Sequence, residues 1–239
     1  MNRGIYPVMA GAVTNERQME LLAHNLGNIH TSGFKKDDAV FGTILARSVG
    51  PHIAGMDLFP QVATVRPDVT QGTLRYTGND MDVALEGEGF FVVQTAVGER
   101  YYRGGQFQIN KNGELASFNG DPILGEDGPI KMPEGQMAID KKGVVRVGTK
   151  VVGTLRVENL RAGEVPIKTG DLYWVAPRSA LPAHNMRVHQ GSVEQSNVNP
   201  STEMVNMIKV IRGYEQMQKA IQAMDEMTGQ IIQSSRIQG

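Results

Sequence analysis

The chain has 239 residues, is 40% hydrophobic, carries 24 Lys and Arg against 25 Asp and Glu, and contains no cysteine. This length is enough for more than one structural unit. The nearly cancelling charges argue against a nucleic-acid partner, and the lack of cysteine excludes disulfides and thiol catalysis. We expect no membrane-spanning segment, because no apolar run is long enough, and no cleaved signal, because charged residues interrupt the early apolar pattern.

An apolar stripe at helical spacing predicts a first helix that begins near Ile5 and ends close to Asn28-Ile29. Pro7 is tolerated in its first turn. Gly33 is expected to take a left-handed cap conformation, with a flexible surface turn as the alternative. The stripe consists of Ile5, Met9, Ala12, Met19, Ala23 and Leu26, widened by Val8, Leu22 and Ile29. We assign residues 1–35 to this helical segment.

The helical periodicity then disappears, and glycine and proline interrupt short apolar pieces. Residues 36–78 are therefore predicted to form an extended connector, with one short helix at Asp38–Arg47. Residues 79–193 contain short strand-forming runs, such as Phe90-Phe91-Val92-Val93, separated by turn signals, which indicates a central antiparallel β domain. Asn112-Gly113 and Asn119-Gly120 are predicted to form type I′ hairpin turns.

Residues 194–239 carry a second helical stripe with the three-and-four spacing of a coiled-coil seam. The seam consists of Met207, Val210, Tyr214, Met217, Ile221, Met224, Thr228 and Ile231. The predicted fold class is α+β: paired N- and C-terminal helices form a coiled-coil-like core domain, joined by the connector to the β domain. Neutral glutamines and adaptable methionines on the last helix favour packing against several neighbours over a two-helix hairpin with a solvated back.

No residue set in the sequence indicates catalysis, a cofactor or a metal. His24 and His30 are six residues apart and do not share a helical face at ligand spacing. Glu126-Asp127-Gly128 resembles part of a calcium loop but lacks the alternating ligands, so a hairpin turn is favoured. We therefore expect a protein that assembles, rather than an enzyme.

The stretch from Ala23 to Lys35 contains Asn25, Asn28 and Gly33-Phe34. It resembles the Asn-rich signature that ends the first helix in bacterial flagellar rod and hook proteins. Residues 77–91 and 102–115 resemble the start of the family's β domain and its following hairpins. Residues 191–215 resemble its C-terminal segment and helix. The opening Arg3-Gly4-Ile5-Tyr6 and the modest length favour a proximal rod member, with a distal rod member as the alternative.

This resemblance implies a structural subunit of the basal-body rod in the periplasm, exported by the flagellar type III apparatus without a cleaved signal. It implies that the terminal helices polymerise into a helical tube that transmits torque, with copies of the chain and neighbouring rod proteins as partners. The rival hypotheses are a hook-type subunit, a cell-wall-acting enzyme, and a soluble adaptor whose terminal helices form a closed dimeric coiled coil. The predicted assembly interface consists of Ile5, Met9, Met19, Leu22, Leu26, Asn25, Asn28, Gly33, Phe34, Met207, Val210, Tyr214, Met217, Ile221, Met224 and Ile231.

Overall fold

The structure is a computed structural model that describes residues 5–46, 57–161, 164–170, 172–176, 180–183 and 186–237. Within these ranges, side chains are described from residue 8 to 40 and from 64 to 230. The described chain has one helix at each end and is otherwise mostly β-strand.

Helix α1 spans Ile5–Gly27 and helix α2 spans Pro200–Ile237. Asn199 caps α2, because its Oδ1 accepts a hydrogen bond from the Thr202 N–H at 3.2 Å, and Pro200 occupies the first helical position. Within the described residues, neither helix has the combination of length and apolarity that crossing a bilayer requires.

The strands, in chain order, are β1 (Asp37–Ala46), β2 (Asp57–Pro67), β3 (Leu74–Tyr76), β4 (Val83–Glu86), β5 (Phe90–Thr95), β6 (Gly98–Tyr102), β7 (Phe107–Ile109), β8 (Leu115–Ser117), β9 (Leu124–Gly125), β10 (Gly128–Pro129), β11 (Met137–Ile139), β12 (Val144–Val147), β13 (Lys150–Thr154), β14 (Val157–Asn159), β15 (Ile167–Thr169), β16 (Tyr173–Val175), β17 (Leu181–Pro182), β18 (Arg187–Gln190) and β19 (Ser192–Glu194). The chain forms two compact units. The helical unit contains α1, α2 and the ribbon of β1 and β2, and the β unit consists of residues 28–36 and 67–198.

The predicted coiled-coil-like core of paired terminal helices is wrong. The chain is mostly β-strand, and α1 does not present an apolar seam to α2. The buried positions of α1 are Gly11, Thr14, Leu22 and Asn25. Leu22 belongs to the predicted stripe, but Gly11 and Asn25 precede Ala12 and Leu26 of that stripe by one residue, which corresponds to a rotation of about 100° around the helix. A coiled coil requires apolar knobs at such positions, whereas α1 buries mainly small and polar residues there.

At two points of contact between the helices, a glycine of one helix faces a side chain of the other. A Cβ atom on Gly11 would lie 2.9 Å from Met217 Cε, and one on Gly213 would lie 3.0 Å from Asn15 Nδ2. Asn15 Nδ2 also donates to Met217 Sδ at 3.7 Å. The absence of side chains at the two glycines lets the helices approach closely, and this contact is not one that an apolar pattern reveals.

The short helix predicted over residues 38–47 is also wrong. Residues 37–46 are strand β1, which pairs with β2 in a two-stranded ribbon. The segment contains the β-branched residues Val40, Thr43 and Ile44, which favour extended backbone because their side chains are restricted in a helix.

In the β unit, the largest sheet has the strand order β15-β16-β6-β5-β14-β17, and all its ladders are antiparallel. Strands β11, β12 and β13 form a second sheet, and β18-β4, β19-β3, β7-β8 and β9-β10 form antiparallel pairs. The main apolar cluster lies in this unit and includes Val83, Leu85, Phe91, Phe107, Leu115, Ile123 and Val145.

The two Asn-Gly turns do not have the predicted type I′ geometry. Type I′ requires positive φ at both central residues, but no described residue other than glycine has positive φ. Gly113 (φ 74°) donates its N–H to the Asn110 carbonyl at 3.0 Å, and Gly120 (φ 90°) donates to the Ser117 carbonyl at 2.9 Å. Each glycine thus closes a three-residue loop in which it alone takes the left-handed conformation.

Candidate assembly interface

Helix α2 has apolar side chains on two sides. The side with lower exposure carries the predicted stripe, in which Val210 is 7% exposed and Met207, Tyr214, Met217, Ile221 and Met224 are partly buried. An adjoining side carries a second, unpredicted stripe that is exposed: Met204 (54%), Val205 (51%), Ile208 (52%) and Ile211 (38%). We call these four residues the outer stripe.

Helix α1 also exposes apolar side chains. Met9 and Val13 are each about half exposed, at 51% and 50%, and lie four residues apart on one face. Met9 belongs to the predicted assembly interface, while Val13 was not predicted. Exposed apolar residues on both helices are a common feature of proteins that associate through those helices.

The remaining predicted interface residues occupy different environments. Leu22 is 6% exposed, whereas Met19, Leu26 and Asn28 are partly buried. Ile5 and Ile231 lie in α1 and α2, but their side chains are outside the described part of the structure. The predicted set therefore contains both surface residues and residues that are packed within the chain.

Asn25 fixes the backbone that follows α1. Its side-chain Nδ2 donates to the Asp37 carbonyl and its Oδ1 accepts from the Asp37 N–H, both at 2.9 Å. The side chain is 1% exposed, so both bonds are shielded from water. Asn25 thus pairs with the first residue of β1 as a neighbouring strand would.

Gly33 and Phe34 are packed inside the β unit. Gly33 has φ 73°, as the predicted left-handed conformation requires, and its N–H donates to the Glu194 carbonyl at 2.8 Å. Phe34 is 1% exposed, and Lys168 Nζ lies 4.2 Å from the centre of its ring. The turn is therefore closely packed rather than a flexible surface turn.

Glu194 connects residues from the first motif and from the β-domain motif. It is 1% exposed and was not predicted as a site residue. Its Oε2 accepts from Arg103 Nε at 2.6 Å, its Oε1 pairs with Lys35 Nζ, and Oε1 also accepts from the Gly72 N–H at 2.8 Å. Lys35 and Arg103 are 1% and 4% exposed. Burial lowers the pKa of Lys35 below its usual value of 10.5, and the Glu194 carboxylate opposes that shift.

Asn197 joins three backbone segments a short distance along the chain. Its Oδ1 accepts from the Lys36 N–H at 2.7 Å, and its Nδ2 donates to the carbonyls of Asp68 at 2.9 Å and Thr70 at 3.2 Å. The Asp68 N–H in turn donates to the Lys36 carbonyl at 2.8 Å. We call the connected group the clasp; it consists of Lys35, Lys36, Asp68, Thr70, Arg103, Glu194 and Asn197.

The clasp residues lie in separate sequence motifs. Lys35 stood at the end of the first motif, Arg103 in the β-domain motif, and Glu194 and Asn197 in the last one. The signal available in the sequence was a charged residue directly after a large apolar one. Lys35 follows Phe34 and Glu194 follows Val193, and both apolar residues are 1% exposed. Their partnership depends on contacts across 159 residues of chain, which one sequence does not reveal.

The described residues contain no group of three or more His, Asp or Glu side chains arranged to hold a metal ion. His189 Nε2 and Glu86 Oε2 lie 2.7 Å apart on the surface of the β18-β4 pair. The hydrogen bond with His189 lowers the pKa of Glu86 below its usual value of 4.5. This pair links two neighbouring strands.

Comparisons with known families cover separate parts of the chain. Residues 189–234 match a profile described as the flagellar basal body rod FlgEFG protein C-terminal region. Residues 84–147 match a profile described as the flagellar hook protein FlgE/F/G D1 domain.

Individual relatives match nearly the whole chain. The flagellar basal-body rod protein FlgF of Caulobacter vibrioides is 32% identical over 98% of this chain and 98% of its own length. FlgF of Salmonella typhimurium is also 32% identical, with 98% of each chain covered. The flagellar basal-body rod protein FlgG of Buchnera aphidicola is 32% identical over 93% of this chain and 96% of its own.

Proposed function

We propose a mode of assembly from one premise: this chain belongs to the family of flagellar basal-body rod proteins and is a structural subunit of that rod. The resemblance inferred from the sequence motifs is confirmed, and the chain is similar to FlgF. The proposal is that the subunit joins its neighbours through the exposed apolar sides of its two terminal helices. Those neighbours are copies of the chain and other rod proteins.

The observation that carries this proposal is the outer stripe of α2. Met204, Ile208 and Ile211 follow at spacings of four and three, so they lie on one side of the helix with Val205 beside them. Each side chain is between 38% and 54% exposed in the subunit. Burying what remains exposed contributes on the order of 1 kcal/mol per side chain before the cost of ordering.

Helix α1 supplies the second proposed contact through Met9 and Val13. Of the interface residues predicted from sequence, Met9, Met19 and Leu26 are proposed to contact neighbouring subunits. The less exposed side of α2 carries Met207, Val210, Tyr214, Met217, Ile221 and Met224, which we propose hold the helical unit in the shape that assembly requires. Asn25, Asn28, Gly33 and Phe34 are proposed to act in the same indirect way.

We further propose that repeated contacts of this kind give a helical tube, because a head-to-tail interface that does not close into a ring extends into a helix. The subunit would transmit torque in the part of the rod that lies in the periplasm, after export through the flagellar type III apparatus. It would do so as a passive element without catalysis. A peptidoglycan-release assay should then show no turnover. Peptidoglycan release by the wild type that disappears when a single acidic residue is changed would contradict the absence of catalysis.

The position along the rod is also a proposal. Similarity to FlgF favours the proximal rod, while FlgG relatives match at a comparable identity over slightly less of the chain. Imaging intact basal bodies with a label on this chain would place it. A label found at the outer end of the rod would favour the distal alternative.

The mode of assembly is tested by placing a charge in the outer stripe. Ile208→Asp and Met204→Asp should abolish incorporation into the rod and motility, because each would bury an unpaired carboxylate between subunits. The matched control is Val97→Asp, which changes a valine that is 73% exposed at the turn between β5 and β6. Circular dichroism of the purified variants should show unchanged helicity. Normal motility with both stripe variants would contradict the proposal.

A further inference from the structure

We infer that the clasp is a mechanical latch: it ties together the chain ends of the β unit, so that force arriving along the chain must break it before that unit opens. The proposed function identifies the source of the force, as torque in a rod. The latch itself is a property of the single subunit. It can therefore be tested separately from assembly.

The clasp occupies the ends of both segments of the β unit. That unit consists of residues 28–36 and 67–198, so its segments have four ends. Lys36 is one of those ends, and Asp68 and Asn197 are each one residue from another. Any tension between the β unit and the chain beyond residues 36, 67 or 198 therefore reaches a clasp residue almost directly.

The bonds of the clasp cross between segments that are distant in sequence. Segment 28–36 is held by the Gly33 N–H on the Glu194 carbonyl at 2.8 Å, the Lys36 N–H on Asn197 Oδ1 at 2.7 Å and the Lys35–Glu194 ion pair. Lys168 Nζ adds a bond to the Lys35 carbonyl at 2.6 Å. Residue 36 cannot move away from residue 197 until these bonds break. Water can replace the buried bonds only after the segment has separated.

The charges at Glu194 suit this role better than a role in equilibrium stability. Burying two cations and a carboxylate carries a large desolvation cost, so buried ion pairs often add little stability compared with apolar residues of the same size. Their bonds are short and directional, however, and resist separation in a low-dielectric interior. Resistance to force and equilibrium stability should therefore respond differently to changes in the clasp.

The experiment is single-molecule pulling of the full chain by its two ends. Since the chain contains no cysteine, one cysteine added at each end provides a unique attachment point. Unfolding of residues 67–198 is recognised by the release of roughly 450 Å of chain. The variants are Asn197→Ala, which removes the neutral bonds, and Glu194→Gln, which removes the carboxylate charge while keeping its shape.

The matched control is Glu158→Gln. Glu158 is also a buried carboxylate of the β unit, 9% exposed, and it accepts from Arg156 at 2.6 Å and from Tyr101 Oη at 3.0 Å. It lies on β14, between β5 and β17 of the large sheet, and not at an end of either segment of the β unit. At a fixed force, Asn197→Ala and Glu194→Gln should each unfold at least about tenfold faster than the wild type. Glu158→Gln should unfold less than about threefold faster, even where its equilibrium denaturation midpoint falls by as much as that of Asn197→Ala.

Two results would overturn the inference. One is an equal acceleration by Glu158→Gln and Asn197→Ala, which would make the clasp an ordinary stabilising contact. The other is Asn197→Ala unfolding at the wild-type rate under force. Neither result bears on incorporation into the rod, which the outer-stripe variants test.

Discussion

At Gly33 the backbone and its surroundings both exclude a side chain. Its φ is 73°, and a Cβ atom would lie 2.4 Å from the Gly104 nitrogen, which is backbone and cannot rotate away. We expect Gly33→Ala to lower the free energy of unfolding of the β unit by about 3 kcal/mol, the sum of left-handed strain and displaced backbone. Denaturant unfolding followed by tryptophan fluorescence measures this loss.

Gly113→Ala is the control for that experiment. Gly113 has nearly the same φ, 74°, but nothing lies within 4 Å of a Cβ atom there. Only the backbone strain of about 1 kcal/mol should remain. Equal losses at the two positions would show that the contact with Gly104 is unimportant.

The Asp68 side chain gives the clasp a dependence on acid. Burial acts to raise the pKa of Asp68, but hydrogen bonds from Thr70 and the charges of Lys36 and Lys35 outweigh it and leave the pKa below its usual 3.8. A carboxyl whose pKa is lower in the folded state stabilises the fold above its unfolded pKa, and that contribution is lost as the pH falls through the folded value.

We therefore expect the wild type to lose stability on acidification below about pH 4 more steeply than Asp68→Asn. Asp68→Asn should be less stable than the wild type at neutral pH and approach it in acid. Denaturation midpoints measured across this range provide the comparison. Parallel curves for the two proteins would rule out Asp68 as a source of the acid response.

At the scale of the elements, the contact between α1 and α2 depends on Met217. It lies against Gly11 and Asn15, so Met217→Asp would place a carboxylate in a partly buried contact without a cation. We expect a loss of about 2 kcal/mol in the stability of the helical unit. Hydrogen exchange should show weaker protection of α1 and α2 amides and unchanged protection in the β unit.

Gln218→Asp introduces the same carboxylate one residue later, at an exposed position. Its exchange pattern should match that of the wild type. If Gln218→Asp lowers the hydrogen-exchange protection of α1 as much as Met217→Asp does, the effect comes from added charge on the helix and not from the contact.

The two helices illustrate how far an apolar pattern predicts packing. For α2 the predicted stripe is the less exposed side, because large apolar residues occupy it. For α1 the predicted stripe includes the buried Leu22, but the other buried positions are Gly11, Thr14 and Asn25, and none of these three counts as apolar. The segment at residues 38–47 was predicted to be helical although it is strand β1, whose pairing with β2 lies outside any local pattern.

At the scale of the whole molecule, the apolar residues whose burial the structure describes are unevenly divided between the units. Among residues with described side chains, Leu22 and Val210 are the large apolar residues of the helical unit that are less than a tenth exposed, whereas the main cluster belongs to the β unit. Since apolar burial is the dominant stabilising contribution, we expect two thermal transitions, with the helical unit melting first.

Differential scanning calorimetry measures those transitions, and circular dichroism assigns the lower one to loss of helix. Met217→Asp should lower only the first transition. A single transition with equal calorimetric and van't Hoff enthalpies would contradict the expected independence.

The sequence predicted the order of helix, β-rich middle and helix, and the family, because periodicities and motifs are local. It did not predict the clasp, because Lys35, Arg103 and Glu194 meet only after the strands between them have paired. The outer stripe was missed for another reason. Met204, Val205, Ile208 and Ile211 were readable in the sequence, but the longer stripe on the adjoining side fitted the helical spacing better.

The position of Lys168 has a practical consequence for observing the subunit. Its ammonium lies 4.2 Å from the centre of the Phe34 ring and 5.3 Å from that of Trp174, the single tryptophan of the chain. The indole is 1% exposed. Lys168 lies near this ring and also contacts Phe34 and the Lys35 carbonyl of segment 28–36. When that segment separates, the charge beside the indole moves, and the emission should change. The protein thus contains an intrinsic optical probe of the state of the clasp, and no dye has to be attached.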